Sequence, residues 1–200
     1  MYKKTISLLL ATTSLAISGS FVPEERSIID IDAKYYIGMS LGLTDLKNDA
    51  SIEKFSSKNY SLVAGVKLGE YFGVETRYFK GFGKLKYEKG ITQNTDTSDY
   101  SAELSAYGIY VKPRYEIYDF TIFALLGYGQ TQIDSIPKIE TAKRTEKGFQ
   151  WGVGSSYSIN DEIDIFVDYV SFYNDTGFDG RAKTSTVKSS SLNIGMNYKF

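Results

Sequence analysis

The 200-residue chain has no cysteine and no histidine, 3 prolines and a single tryptophan. Disulfide frameworks, thiolate zinc sites, cysteine nucleophiles and every mechanism that needs an imidazole are thereby excluded. Charge of one sign is also lacking, since 23 basic residues face 24 acidic ones, and the clustered basic surface that a nucleic-acid partner requires is not expected. No apolar run approaches the ~20 residues a membrane-spanning helix takes. Aromatic residues and glycine are plentiful instead, with 17 Tyr, 12 Phe and 18 Gly. The length suits one domain, alone or behind a processed leader. Mean hydropathy is slightly polar. That average fits a soluble β protein, or one whose apolar residues are hidden in a period rather than in runs.

The N-terminus reads as an address. Lys3 and Lys4 precede an apolar-to-neutral stretch from Ile6 to Ile17, which runs into Ser18-Gly19-Ser20. A basic, then apolar, then small-residue order is that of a secretory signal peptide over residues 1–20, with cleavage after Ser18 or after Ser20. No cysteine follows to carry a lipoprotein anchor. Removing Lys3 and Lys4 leaves 21 basic against 24 acidic residues. Residues 21–32 form an acidic lead-in, with Glu24, Glu25, Asp30 and Asp32, before a domain over 33–200.

From Ala33 the chain alternates. Tyr35, Ile37, Met39, Leu41 and Leu43 occupy one phase while Tyr36, Gly38, Ser40 and Gly42 occupy the other. Strict alternation is the mark of a strand with two environments. The same period returns in segments around Leu62–Leu68, Phe72–Tyr78, Tyr107–Tyr115, Ile122–Tyr128, Phe149–Ile159, Ile163–Tyr173 and Leu192–Phe200. Eight strands of about ten residues are expected, the length a tilted strand needs to cross a bilayer. Long polar connections fall at 44–59, 81–102, 132–147 and 174–188, and tight turns fall near Glu70-Tyr71, Glu116 to Asp119 and Asn160 to Glu162. Long loops on one rim and short turns on the other predict an all-β, eight-stranded antiparallel up-and-down transmembrane β-barrel.

A soluble lipocalin-like barrel alternates too, so the two faces must be told apart. Eleven glycines sit in the phase opposite the apolar residues: Gly38, Gly42, Gly65, Gly69, Gly73, Gly108, Gly127, Gly129, Gly152, Gly154 and Gly195. A solvated strand face would favour Thr, Lys and Glu, whereas a narrow lumen must be filled without crowding. The polar phase is therefore assigned to the interior. It carries Lys67, Glu75, Arg77, Lys112, Arg114, Asp164, Asp168 and Lys199, all toward the short-turn rim. Charges of both signs at one level of a narrow tube can pair, which would plug or gate the lumen; solvated side chains or an ion path are the other readings. Outward aromatic residues, Tyr35, Tyr60, Phe72, Tyr78, Tyr107, Tyr115, Tyr128, Phe149, Tyr157, Tyr169, Tyr173, Tyr198 and Phe200, gather toward strand ends as an interfacial belt does. Ordinary β-propensity enriches the same residue types.

The signal peptide, the opening Tyr36-Ile37-Gly38, the segment Lys67-Leu68-Gly69-Glu70-Tyr71-Phe72-Gly73-Val74-Glu75, the Lys112-Pro113-Arg114-Tyr115 strand end and the closing Leu192 to Phe200 strand together carry a family resemblance. Over about 33–200 the chain resembles the small Gram-negative outer-membrane β-barrel proteins that include OmpA-like transmembrane domains, OmpX-like and opacity-type, porin-like proteins. The resemblance implies residence in the outer membrane after export. It also implies contact with outer-membrane lipid and lipopolysaccharide, and an insertion signal at Met196, Tyr198 and Phe200 read by the barrel-insertion machinery. With the chain ending at Phe200, the peptidoglycan-binding domain of full OmpA-type proteins is not expected.

Enzymatic outer-membrane barrels rely on a catalytic histidine, which is missing here. Ser51-Ile52-Glu53-Lys54 and Ser135-Ile136-Pro137-Lys138 have a Ser-x-x-Lys spacing, but both fall in expected loops rather than on a rigid frame. A non-enzyme without metal or cofactor is expected. Lys138, Lys143, Arg144, Lys147, Arg181 and Lys183 in the long loops are candidates for lipopolysaccharide phosphates, against the plainer reading of solvated loops. The leading reading is a structural and surface-interaction protein displaying four polar loops to an unidentified surface partner. A small channel for ions or solutes is the alternative, and a soluble secreted barrel is a third.

Overall fold

The computed structural model describes residues 33–48, 53–89, 97–100, 103–134, 144–176 and 186–200. They form β1 (Ala33–Asn48), β2 (Glu53–Leu68), β3 (Phe72–Lys89), β4 (Thr97–Tyr100), β5 (Glu103–Val111), β6 (Arg114–Ile117), β7 (Phe120–Asp134), β8 (Arg144–Ser158), β9 (Ile163–Thr176) and β10 (Thr186–Lys199). β4, β5 and β6 are successive pieces of one stave, because β4 and β5 both pair with β3 while β5 and β6 both pair with β7. Between β5 and β6 stands Pro113, which has no N–H for the ladder. Its neighbours keep the stave aligned: Lys112 and Gly73 exchange both backbone bonds, and the Pro113 carbonyl accepts from the Ala124 N–H. Eight staves therefore pair antiparallel in chain order, and β1 closes on β10 from Tyr36↔Lys199 to Asn48↔Val187. Closure removes the free edges of an open sheet, although among the described residues β4 and the Arg144–Gln150 part of β8 are paired on one side only.

The staves are longer than the alternation suggests. β2 runs for 16 residues, β3 for 18 and β9 for 14, where about ten were expected. Pairing continues to Asn48↔Glu53, Ile133↔Arg144 and Thr176↔Thr186, so the connections 44–59, 81–102, 132–147 and 174–188 all begin too early and end too late. The physical reason lies in what each signal reports. Apolar alternation stops where lipid stops, but backbone hydrogen bonds continue the ladder beyond it. Outward of Tyr60 comes exposed Lys58, and outward of Phe149 comes exposed Lys147.

At the opposite rim the turns are tight. Gly69 sits at φ 66, a conformation glycine adopts without strain, and Tyr118 adopts φ 55 in the turn between β6 and β7. Asn160 accepts through Oδ1 from the Glu162 and Ile163 N–H groups at 2.9 and 2.8 Å, closing the β8–β9 turn. Both ends of the barrel domain meet here, where the Phe200 N–H donates to the Tyr35 carbonyl at 2.9 Å.

The outer surface is an apolar belt. Met39, Leu41, Ile109, Tyr128, Val153 and Ile194 are all more than half exposed, Ile194 at 67 %. Such a continuous surface would not stay monomeric in water but matches a hydrocarbon phase. Tyr173 departs from the expected belt. A bulge in the β9–β10 ladder pairs Ser171 with Ser190 and Tyr173 with Ser189, skipping Phe172. The extra residue shifts the phase, so Tyr173 is buried inside rather than facing lipid.

Candidate functional site

The lumen is the only place in the described residues where charged side chains are fully withdrawn from water. Glu75 and Arg77 lie two apart on β3, so both point inward. Lys112 reaches them from the β5–β6 junction and Asp168 from β9. Arg77 donates through Nε to Glu75 and through Nη1 to Asp168 at 2.6 Å, while Lys112 Nζ donates to the second Glu75 oxygen at 2.8 Å. Two cations and two carboxylates thus neutralise one another across the tube, with Glu75 at 0 % exposure and Arg77 at 2 %. Their remaining lone pairs are also used. Tyr36 Oη donates to Glu75 at 2.6 Å and Asn193 Nδ2 to Asp168 at 2.9 Å. The polar chain then runs toward the loop rim, with Ser191 donating to Asn193 at 2.7 Å and Asn59 donating to Ser191 and Thr44 at 2.6 and 2.7 Å.

Aromatic rings bracket this cluster. Lys112 Nζ sits 4.1 Å from the Phe123 ring centroid and the Arg77 guanidinium 5.4 Å from that of Phe166. Cations over ring faces keep part of their electrostatic stabilisation out of water. Glycines make room for the rings: a Cβ at Gly154 would lie 2.6 Å from Phe123 Cζ, and one at Gly65 would overlap the Tyr36 ring. Nearer the loop rim Tyr110 donates to Gln150 at 2.5 Å, and Phe79 meets Phe172 edge-on at 4.5 Å. The interior is accordingly mixed, since Val63, Leu125 and Val170 are buried among the polar groups. Sequence reasoning misses Val63 and Val170 because they interrupt the simple polar-in pattern, whereas the inward phase of the Ile122–Tyr128 segment, with Phe123 and Leu125, already reads as apolar from the sequence.

Toward the short-turn rim a second group of charges is less buried. Lys199 Nζ donates to Asp164 at 2.6 Å, and Asp164 also accepts from Ser158 at 2.7 Å. Lys67 pairs at 2.6 Å with Glu116, which also pairs with Arg114. Glu116 was expected in a turn; it stands on β6, and only the ladder to β7 reveals its inward partners. Lys67, Glu75, Arg77, Lys112, Arg114, Asp164, Asp168 and Lys199 therefore form two tiers, one buried and one at the mouth.

The other residues singled out from the sequence lie apart. Met196, Tyr198 and Phe200 face outward along the end of β10, and the Tyr198 and Phe200 rings meet edge-on at 5.1 Å. Lys147 is exposed on β8 and Arg144 begins that strand. Lys138, Lys143, Arg181 and Lys183 lie outside the described residues, as do Ser51, Ser135 and residues 1–32.

Among solved structures, Ail, the attachment invasion locus protein of Yersinia pestis, is similar at 16 % identity and a TM-score of 0.55, over 84 % of this chain and 99 % of that one. That structure is a complex with the heparin analogue sucrose octasulfate. Neisserial surface protein A is similar at 15 % identity and a TM-score of 0.56, over 83 % of this chain and 97 % of that one. At these identities the likeness concerns the fold. No curated protein matches the sequence. The model of the outer membrane protein beta-barrel domain matches residues 8–200, nearly the whole chain, and with a closed eight-stave barrel wrapped in an apolar belt the protein belongs to that outer-membrane family of Gram-negative bacteria.

Proposed function

We propose that the protein is a plugged outer-membrane barrel with a structural and surface-interaction role, and not an enzyme. The carrying observation is the Glu75–Arg77–Asp168–Lys112 cluster, charge-neutral and buried across the full width of the lumen. Opening an aqueous path would require separating paired charges that are withdrawn from solvent, which is strongly unfavourable. Conductance of the refolded protein in planar bilayers tests this. We expect no stable open level, and a reproducible channel would overturn the reading in favour of a small pore.

On this reading residues 1–20 direct export, residues 21–32 lie on the periplasmic side, and Met196, Tyr198 and Phe200 are read by the insertion machinery. Four loops extend from the long-stave rim. Lys138, Lys143, Arg144, Lys147, Arg181 and Lys183 would meet lipopolysaccharide phosphates there. The sulfated ligand of the similarly folded Ail supports an anionic surface polymer as the class of partner. Neutralising these six residues should weaken binding to lipopolysaccharide and flatten its salt dependence; unchanged binding would remove them from the contact.

The pore reading has one observation in its favour. Ser57 Oγ, Asn59 Oδ1, Thr131 Oγ1, Gln150 Nε2 and Ser189 Oγ are buried without a protein partner among the described residues. Polar atoms of this kind are ordinarily satisfied by internal water. Such water would hydrate the half of the lumen toward the loop rim, with the buried charge cluster remaining as the barrier.

A further inference from the structure

The mouth of the lumen at the short-turn rim is a vestibule open to solvent, with about 20 Å³ of internal room. Its charged lining is Lys34, Lys67, Lys112, Arg114 and Lys199 against Asp164 alone. Among the described residues, the carboxylates paired to this wall do not restore balance. Glu75 is engaged by Lys112 and Arg77, one Glu116 serves both Lys67 and Arg114, and Asp164 serves Lys199. Arg77 is matched by Asp168, so among the described residues the five lining cations have three carboxylates as ion-pair partners. Lys34 makes no ion pair among the described residues. Arg114 keeps its Nε buried without an acceptor. The hydroxyls of Thr121 and Ser156 complete the wall with neutral donors.

We propose that this vestibule is an oxyanion site, taking the phosphate or carboxylate group of a small periplasmic anion or of a lipid headgroup. A guanidinium, ammonium groups and hydroxyls around a recess are the donors that oxyanions select. A cation would meet net repulsion at the same place. Lys34 is exposed at the rim, and Lys67, Arg114 and Lys199 stand partly buried beside it, where low-dielectric walls focus their field.

The test is titration of the protein, refolded in uncharged detergent micelles, with inorganic phosphate, followed by phosphorus NMR line broadening and by the unfolding midpoint. Chloride at matched ionic strength is the control. We expect saturable broadening that chloride does not reproduce, weakened about tenfold in Lys34→Gln/Arg114→Gln, which removes two charged donors. Lys34→Gln alone, which breaks no ion pair among the described residues, should show a smaller weakening and keeps the test open if the double variant fails to fold. Lys58→Gln, on the outer ribbon, should bind as the parent does. Repeating the titration in phosphatidylcholine bilayers with and without phosphatidylglycerol separates the sources: competition by the anionic lipid assigns a headgroup, and no competition assigns a free anion. Broadening no greater than with chloride, or equal binding by parent and Lys34→Gln, would overturn the proposal.

Discussion

Arg77 holds two buried carboxylates at once, and its environment makes the consequences of replacing it specific. Arg77→Met leaves Asp168 with no cation and Glu75 with Lys112 alone. An unpaired buried charge costs about 3–5 kcal/mol, so the urea midpoint of the refolded barrel should fall accordingly. Adding Asp168→Asn should return much of that loss, because Glu75 and Lys112 still neutralise each other. If the double variant is no more stable than the single one, the charges do not act as a neutralised set. Gly65 offers a test of packing rather than charge. Its missing Cβ is the space occupied by the Tyr36 ring, which in turn donates to Glu75. Gly65→Ala should cost about 1–3 kcal/mol by overpacking, read from the same unfolding curves. The inward placement of Arg77 and Gly65 was legible from alternation alone. That Tyr36 lies across Gly65 was not, since it depends on the β1–β2 register that sets Tyr36 opposite Gly65.

Among the elements, β9 shows where a period fails. Alternation from Ile163 carries Phe172 inward, where it meets Phe79, and would carry Tyr173 to the lipid face, but the bulge at Phe172 turns Tyr173 inward as well. A single inserted residue reverses every side chain after it. In a Trp151→Phe background, tryptophan placed at 169 should be quenched by brominated acyl chains, and tryptophan placed at 173 should not. Equal quenching at both positions would mean that β9 continues unbulged. Phe172→Ala should cost about 3 kcal/mol through the cavity left beside Phe79. The staves illustrate a second limit of pattern reading. Their membrane-crossing parts were recognisable because lipid demands apolar residues, whereas their extensions, such as Asn48↔Glu53, rest on backbone bonds indifferent to side-chain polarity.

At the scale of the whole molecule, closure and the belt act together. Ile194, 67 % exposed at the middle of β10, should tolerate arginine poorly: Ile194→Arg is expected to lose about 2–4 kcal/mol in a bilayer, and Lys58→Arg on the outer ribbon to lose nothing measurable. Equal effects at the two positions would place the lipid boundary elsewhere. Heat-dependent gel mobility provides the folding control for every variant above. The sequence by itself determined the class of the molecule: the period of two, the glycines in one phase and the apolar residues in the other leave a barrel with a lipid-facing exterior, because each face answers to a local solvent. It also placed eight charges inside. Only the tertiary structure decided which of them meet, since Arg77 and Asp168 are brought together across the lumen by the closure of β1 on β10 rather than by any sequence spacing. The same holds for Glu116 and for the surplus of positive charge at the short-turn mouth, which is a property of the assembled ring and of no single strand.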